Sequence, residues 1–148
     1  MSFAPFDTSL VVYRLRAAVP ALQAVGGAAD YAAVQNLRDF RAPSAYVIFA
    51  EETNTGKVPD SAGVCAQEAR VEFGVVLALR NWREQRGEQM QGQARDLIAQ
   101  ARGALIGHQP GHKGVRVIGW KAGRVLDYDA NVLLFADVYQ LHHVMHRQ

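Results

Sequence analysis

The chain has 148 residues, about the length of one domain, and such a chain buries roughly two-thirds of its unfolded surface in a core. Hydrophobic residues make up 49% and charged residues 20%, which excludes a wholly disordered or collagen-like chain. Sixteen Lys and Arg against fourteen Asp and Glu give a net charge of +2, without the basic surplus typical of dedicated duplex-binding domains. We therefore expect a compact fold.

Cysteine content and hydropathy favour a reducing compartment and argue against a membrane protein. The one cysteine, Cys65, has no partner for an internal disulfide, so a disulfide-stabilised secreted scaffold is not expected. Residues 1–10 carry no positive charge before an apolar stretch, so no signal peptide is predicted. No uncharged run reaches the roughly 18 apolar residues that cross a bilayer. The cytoplasm fits this composition best.

The first part of the chain predicts two helices and a strand. Apolar residues at helical spacing predict an amphipathic helix over residues 10–22, which Pro20 loosens or ends. Val25-Gly26-Gly27 predicts a break, and residues 28–37 are typical of a short second helix. The aromatic and β-branched residues of Ser44 to Ala50 predict a strand that is buried on both faces.

The second part predicts four more strands around a long helix. Residues 68–80 alternate as a strand that forms a hairpin with the preceding one, and a stripe at helical spacing predicts a helix over residues 87–105. A hairpin is expected over residues 115–128, turning at Lys121-Ala122-Gly123, and a last strand over 131–141. This order predicts a single α+β domain over 1–148, with a mostly antiparallel sheet of about five strands and helices packed on one face.

A long loop is predicted at residues 51–67, between the two strands of the first predicted hairpin. It contains the turn signals Asn54-Thr55-Gly56, Pro59-Asp60 and Gly63, and it is longer than most connections in compact domains. Loops of this length are usually functional or disordered. Its polar residues are the first candidates for contact with a partner: Glu51, Glu52, Asn54, Lys57 and Asp60.

No combination of residues predicts catalysis, a metal site or a cofactor. His108 and His112 have a spacing suited to two metal ligands on a helix, but Pro110 lies between them and no Glu follows His108 as a metalloprotease motif requires. Cys65 has only Arg70 nearby to lower its thiol pKa, and no phosphate-binding loop or nucleophile elbow is present. We therefore predict a protein that is not an enzyme.

The segment from Arg80 to Arg86 allows two interpretations. Its three arginines, Arg80, Arg83 and Arg86, surround Trp82, a composition that can stack on or pair with nucleic acid. The alternative is a solvated turn in which Trp82 covers the edge of the core, and the neighbouring Glu84 favours this alternative. The three arginines remain candidates for an interface.

The last strand and the tail that follows it are a third candidate surface. A strand at the edge of a sheet presents unpaired backbone groups, which natural proteins either protect or use to bind a neighbouring strand. Tyr139, His142 and His143 lie in this segment. Adjacent side chains of a strand point to opposite faces, so His142 and His143 are expected at an interface and not around one metal ion.

Five local sequences spread over nearly the whole chain carry a family resemblance. They are the helix over 10–22, the break at residues 25–30, the strand start Pro43-Ser44-Ala45-Tyr46-Val47, the strand Glu72-Phe73-Gly74-Val75-Val76-Leu77 and the helix end Ala104-Leu105-Ile106-Gly107-His108-Gln109-Pro110. Their sequence and order resemble the tail terminator proteins of long-tailed bacteriophages, particularly the small family of Mu-like phages. None of the five is a catalytic signature.

The resemblance implies a structural virion protein that caps the tail tube as a hexameric ring, ends its polymerisation and provides the surface for head joining. The implied partners are further copies of the chain, the tail tube protein, a head-completion or neck protein, and DNA that passes through the lumen without specific binding. The implied location is the neck end of the virion tail, with assembly in the host cytoplasm. The alternatives are another neck component, such as a head-tail connector or stopper, and a small DNA-binding module that uses residues 80–86.

Overall fold

The computed structural model describes residues 3–63, 65–80, 87–111 and 114–146, with only the backbone for residues 87–91. In chain order its elements are α1 (Ser9–Ala18), β1 (Ala24–Gly27), α2 (Ala28–Ala32), a 3₁₀ turn (Leu37–Asp39), β2 (Ser44–Asn54), β3 (Ala66–Arg80), α3 (Gly87–Leu105), β4 (Gly119–Tyr128) and β5 (Val132–His146). The predicted α+β fold is confirmed. Its sheet has five strands in the order β1-β2-β3-β5-β4, and β1 and β2 are parallel while the other described pairs are antiparallel.

The main core lies between the sheet and the two longer helices. On β3 the predicted face of Val71, Phe73, Val75, Leu77 and Leu79 is fully buried, and it packs with Val11 and Leu15 of α1 and Ala101 and Leu105 of α3. α1 spans Ser9–Ala18 instead of the predicted residues 10–22, ending just before Pro20, the residue expected to loosen or end it. The predicted bounds of α3 are confirmed. No helix of the described residues is both long enough and apolar enough to span a bilayer.

A smaller core covers the opposite face of the sheet. Tyr31 of α2 and Phe40, just after the 3₁₀ turn, pack on Tyr46 of β2, with ring centroids 5.6 to 5.8 Å apart. Val76 and Leu134 extend this cluster along β3 and β5. The two longer helices therefore share one face as predicted, whereas the short α2 and the 3₁₀ turn lie over the other face.

The segment predicted as a break at residues 25–27 is a strand, so that prediction is wrong. β1 lies parallel to β2, with Ala24 opposite Ser44 and Gly27 opposite Val47. The backbone N–H of Gly27 donates to Asp30 Oδ2 at 2.9 Å, and a Cβ added at Gly26 would lie 2.5 Å from the same oxygen. The glycine is therefore needed so that the carboxylate can approach the strand, and pairing with β2 outweighs the low strand propensity of glycine. The second helix starts at Ala28 as predicted but ends at Ala32 instead of residue 37.

The predicted hairpin of β2 and β3 is confirmed, but its strands are longer than predicted. Glu51 pairs with Glu72 and Asn54 pairs with Ala69, so the loop spans residues 55–65 instead of 51–67. Polar residues continue the strands here because both faces of this part of β2 are largely solvated, where apolar side chains are not required. We call residues 51–70 the hairpin arm.

The hairpin predicted over residues 115–128 does not form, because β4 is one continuous strand. It pairs with β5 from Gly119 opposite Gln140 to Tyr128 opposite Leu133, and register shifts at Lys121 and Leu126 absorb the extra residues. Gly123, the glycine of the predicted turn, is regularly paired with Asp137, so pairing with β5 outweighs its turn propensity. Two strands therefore follow α3 instead of the predicted three, and β5 is longer than predicted, ending at His146.

The last strand does not lie at the edge of the sheet, which corrects the sequence-based prediction. β5 lies between β3 and β4, and the edge strands are β1 and β4. Beyond Gln140, where pairing with β4 ends, β5 still forms backbone hydrogen bonds with residues 114–116, which precede β4. Arg116 N donates to His142 O at 2.8 Å, and Val144 N donates to Gly114 O at 2.9 Å.

Candidate assembly surface

The hairpin arm presents four of the sequence-predicted contact residues to solvent. Glu51, Asn54, Lys57 and Asp60 are all exposed. Two hydrogen bonds close the arm where its loop begins. Thr55 N donates to Glu68 O at 2.9 Å, and Gly56 N donates to Asn54 Oδ1 at 3.0 Å. The loop beyond this base is exposed along residues 55–63. The arm is thus a held strand pair that carries an open polar loop.

Glu52 has a different position from its neighbours on the arm. Its Oε1 accepts the backbone N–H of Phe6 at 2.8 Å and lies 3.0 Å from His143 Nε2. His143 is only 4% exposed, and its ring meets the ring of Phe6 edge to face at 6.3 Å. This contact fastens the N-terminal segment to the arm and to β5.

Two of the predicted interface residues on β5 belong to the core. Tyr139 is fully buried and stacks on Phe73, with ring centroids 5.5 Å apart, and His143 is buried beside Glu52. Their side chains face the helices because β5 is an interior strand whose alternate residues point into the core. His142, on the opposite face, is exposed. The candidate surface therefore keeps His142 and loses Tyr139 and His143.

A basic cavity lies at the end of the sheet where β2 begins and β3 ends. Its volume is about 360 Å³, and its polar lining comes from Gln23, Arg38, Arg41, Arg80 and Asn131. Arg80 was among the sequence-predicted residues, whereas Arg83 and Arg86 lie outside the described residues. Arg38 and Arg41 were missed because they come from a connection with no distinctive motif, and only folding brings them beside Arg80.

β4 supplies an open strand edge that the sequence prediction assigned to β5. Trp120, Val125, Leu126 and Tyr128 are apolar side chains on this strand that are 40% to 61% exposed. The other edge strand, β1, is protected: Arg16 Nη2 donates to Val25 O at 2.8 Å, and Asp30 accepts the N–H of Gly27. The sequence of β4 mixes apolar and basic residues without an alternating apolar face, and this pattern could have identified it as an edge strand.

A buried carboxylate holds β4 and α3 to β5. Asp137 Oδ2 and Oδ1 accept from Arg102 Nε at 2.9 Å and Nη2 at 2.8 Å, and Oδ1 also accepts from Trp120 Nε1 at 2.9 Å. The hydroxyl of Tyr139 donates to Oδ2 at 3.4 Å. The hydrogen bond to Asp137 raises the pKa of Arg102, and burial followed by the charge of Asp137 raises the pKa of Tyr139. Arg102 is therefore charged and Tyr139 is a neutral donor.

The same network fixes the edge strand to the helical layer. The Arg102 guanidinium lies over the Trp120 ring, 4.9 Å from its centroid, so the same side chain is held both by charge and by cation–π attraction. The edge strand is consequently fixed to the helical layer through Trp120. Sequence analysis did not single out Asp137, because a lone acid in an apolar strand has no motif.

Comparisons with known proteins agree with this architecture. A search of curated proteins gives no significant match. Among solved structures, a chain from the virion of native gene transfer agent (GTA) particle is similar, with 17% identity, a TM-score of 0.60 and coverage of 93% of each chain. At this identity the likeness shows the fold. The family model described as phage tail terminator protein matches residues 1–148. The chain therefore belongs to the phage tail terminator family of structural virion tail proteins.

Proposed function

We propose that this protein caps the phage tail tube, ends its polymerisation and provides the surface to which the head is joined. The observation that carries the proposal is the match of the whole chain, residues 1–148, to the tail terminator family. The fold supports it, because the exposed features are surfaces for protein contact: the hairpin arm, the open edge of β4 and the basic cavity. The protein acts as a single structural domain without catalytic activity.

The capping unit in this proposal is a closed ring of identical copies, with the hexamer as the expected size. A ring needs a heterologous interface, in which one patch meets a different patch on the next copy and the rotation closes. The further partners are the tail tube protein and a head-completion or neck protein. The net charge of +2 suits a ring through which DNA passes without specific binding. The ring resides at the neck end of the virion tail after assembly in the host cytoplasm.

The loop of the hairpin arm is proposed to contact the tube or the neighbouring copy. Replacing residues 56–67 by Asn-Gly joins Thr55 to Glu68, which already share a backbone hydrogen bond of 2.9 Å, through a two-residue hairpin turn. The pairing of Asn54 with Ala69 is kept, so the variant is expected to fold. We expect the variant to lose capping of purified tail tubes, measured as tube length by electron microscopy. A matched control keeps the loop length, carries Val58→Thr and Ser61→Ala at exposed positions outside the candidate contacts, and is expected to cap as the parent does. Capping by the shortened variant at the parental level contradicts this role of the loop.

The decisive test of the function is a stop codon in this gene, with and without complementation, in a phage or prophage that carries it. Overlong tails of variable length without heads are the expected result. Tails of normal length that lack only heads would assign the protein to another neck position, such as a connector or stopper. Normal virions would contradict a role in tail assembly altogether.

A further inference from the structure

The basic cavity brings the guanidinium groups of Arg38 and Arg41 together with that of Arg80 on one concave surface. Arg38 and Arg41 are exposed and form no ion pair with any described residue, and no carboxylate is among the side chains that line the cavity. Gln23 and Asn131 add amide groups to the same concave surface. Guanidinium groups pair with carboxylates and phosphates through two parallel hydrogen bonds. The cavity is therefore suited to an anionic group.

Exposed acids lie at the other end of the same strand. β2 starts three residues after Arg41 and ends in the hairpin arm. In this arm Glu51 and Asp60 are exposed and form no ion pair within the described residues. From Ser44 to Glu51 the strand advances seven residues, which is roughly 23 Å at the rise of an extended chain. Charges at that separation are screened from one another at physiological salt. Within one copy the acids of the arm therefore cannot neutralise the arginines.

We propose that the basic cavity of one copy receives the carboxylates of Glu51 and Asp60 from the hairpin arm of the next copy. The inference rests on the proposed ring and identifies its contact. Two different patches at opposite ends of one strand pair form a heterologous interface, the kind that closes into a ring when the rotation allows it. A concave site of about 360 Å³ suits a few side chains of a protruding loop better than the extended backbone of a duplex.

The pairing predicts a charge-swap experiment. One variant carries Arg38→Glu and Arg41→Glu in the cavity, and the other carries Glu51→Arg and Asp60→Arg on the arm. All four positions are exposed, so both variants are expected to keep the parental thermal unfolding curve. Each variant alone is expected to need about tenfold or more protein for half-maximal assembly, because like charges meet at the contact.

The mixture of the two variants provides the critical result. In an equimolar mixture every reversed cavity can meet a reversed arm and every unchanged cavity can meet an unchanged arm, so assembly is expected to return to the parental concentration. A control variant with Gln93→Glu, Arg95→Glu and Gln100→Glu, at exposed positions of α3, makes the same change in net charge as the cavity variant and is expected to assemble as the parent does. Assembly is measured by sedimentation in solution and by ring occupancy on purified tail tubes.

Several outcomes overturn the proposal. They are parental assembly by the cavity variant, failure of the mixture to recover, and a parent that assembles neither in solution nor on tubes. If only the cavity variant loses salt-dependent binding to duplex DNA while its assembly is unchanged, the cavity binds phosphate and the pairing is wrong. Tube length is scored separately: rings that assemble but leave tubes overlong contradict tube capping without contradicting the contact between copies.

Discussion

Removing the guanidinium from the buried carboxylate of Asp137 should destabilise the protein strongly. In Arg102→Met the carboxylate, which is fully buried, keeps only Trp120 and Tyr139 as donors. Breaking a buried ion pair from one side typically costs about 3 to 5 kcal/mol. Because the Arg102 side chain is 33% exposed, water can replace part of the lost interaction, and we expect about 3 kcal/mol, the lower end of that range.

The measurement is urea unfolding at pH 7 followed by far-ultraviolet circular dichroism, with thermal unfolding in parallel. A loss of this size corresponds to a fall in Tm of about 10 °C for a chain of this length. Arg95→Met, the same change at an exposed position on the same helix, is the matched control and should alter stability by less than about 0.5 kcal/mol.

A second variant separates charge from packing. Arg102→Met combined with Asp137→Asn removes the unpaired charge but keeps an oxygen that can accept from Trp120. We expect the double variant to be more stable than Arg102→Met alone by about 1 kcal/mol or more. A loss below about 1 kcal/mol in Arg102→Met, or a further loss in the double variant, would refute the view that an uncompensated buried charge dominates.

Three further changes have expected outcomes. Truncation after Gln140 should abolish cooperative urea unfolding, because it removes Leu141 from the core and the end of β5 from the sheet; a variant that unfolds at the parental midpoint would contradict this. Burial, followed by the charge of Arg14, lowers the pKa of His108 in the folded state, so stability is full above the unfolded pKa of about 6.5 and falls as the pH drops through it. In His108→Gln the urea midpoint should therefore depend less on pH between about pH 7 and pH 5 than in the parent. A pH dependence equal to that of the parent would contradict the contribution of His108. Val125→Lys, at a side chain that is 50% exposed on the edge strand, should leave unfolding within about 0.5 kcal/mol of the parent. It should also weaken assembly in sedimentation, because charge on an open edge opposes strand addition; parental assembly would remove this edge from the interface.

Local periodicity in the sequence was sufficient to predict much of the fold. The bounds of α3 and the buried face of β3 follow from spacing alone, since side chains repeat with the helical or strand period whatever lies beside them. The same alternation correctly predicted opposite faces for His142 and His143. The exposed residues of the hairpin arm were also identified from their polarity and turn signals.

The pairings of β1 with β2 and of β4 with β5 could not be predicted from sequence patterns, because they depend on contacts with other segments of the chain. Val25-Gly26-Gly27 becomes a strand only beside β2, and Lys121-Ala122-Gly123 stays extended only because β5 pairs along its length. The position of β5 between β3 and β4 moved the open edge to another strand and buried Tyr139.

The sequence by itself determined the two longer helices, the β2–β3 hairpin, the apolar face of β3, and the family to which the whole chain belongs. Only the tertiary structure decided which surfaces are available to partners. It brought Arg38 and Arg41 together with Arg80 in one cavity, and it placed Asp137 beneath Arg102. The physical reason is that periodicity is a local property, whereas edges, cavities and buried charge pairs are made by contacts between segments that meet only when the chain folds.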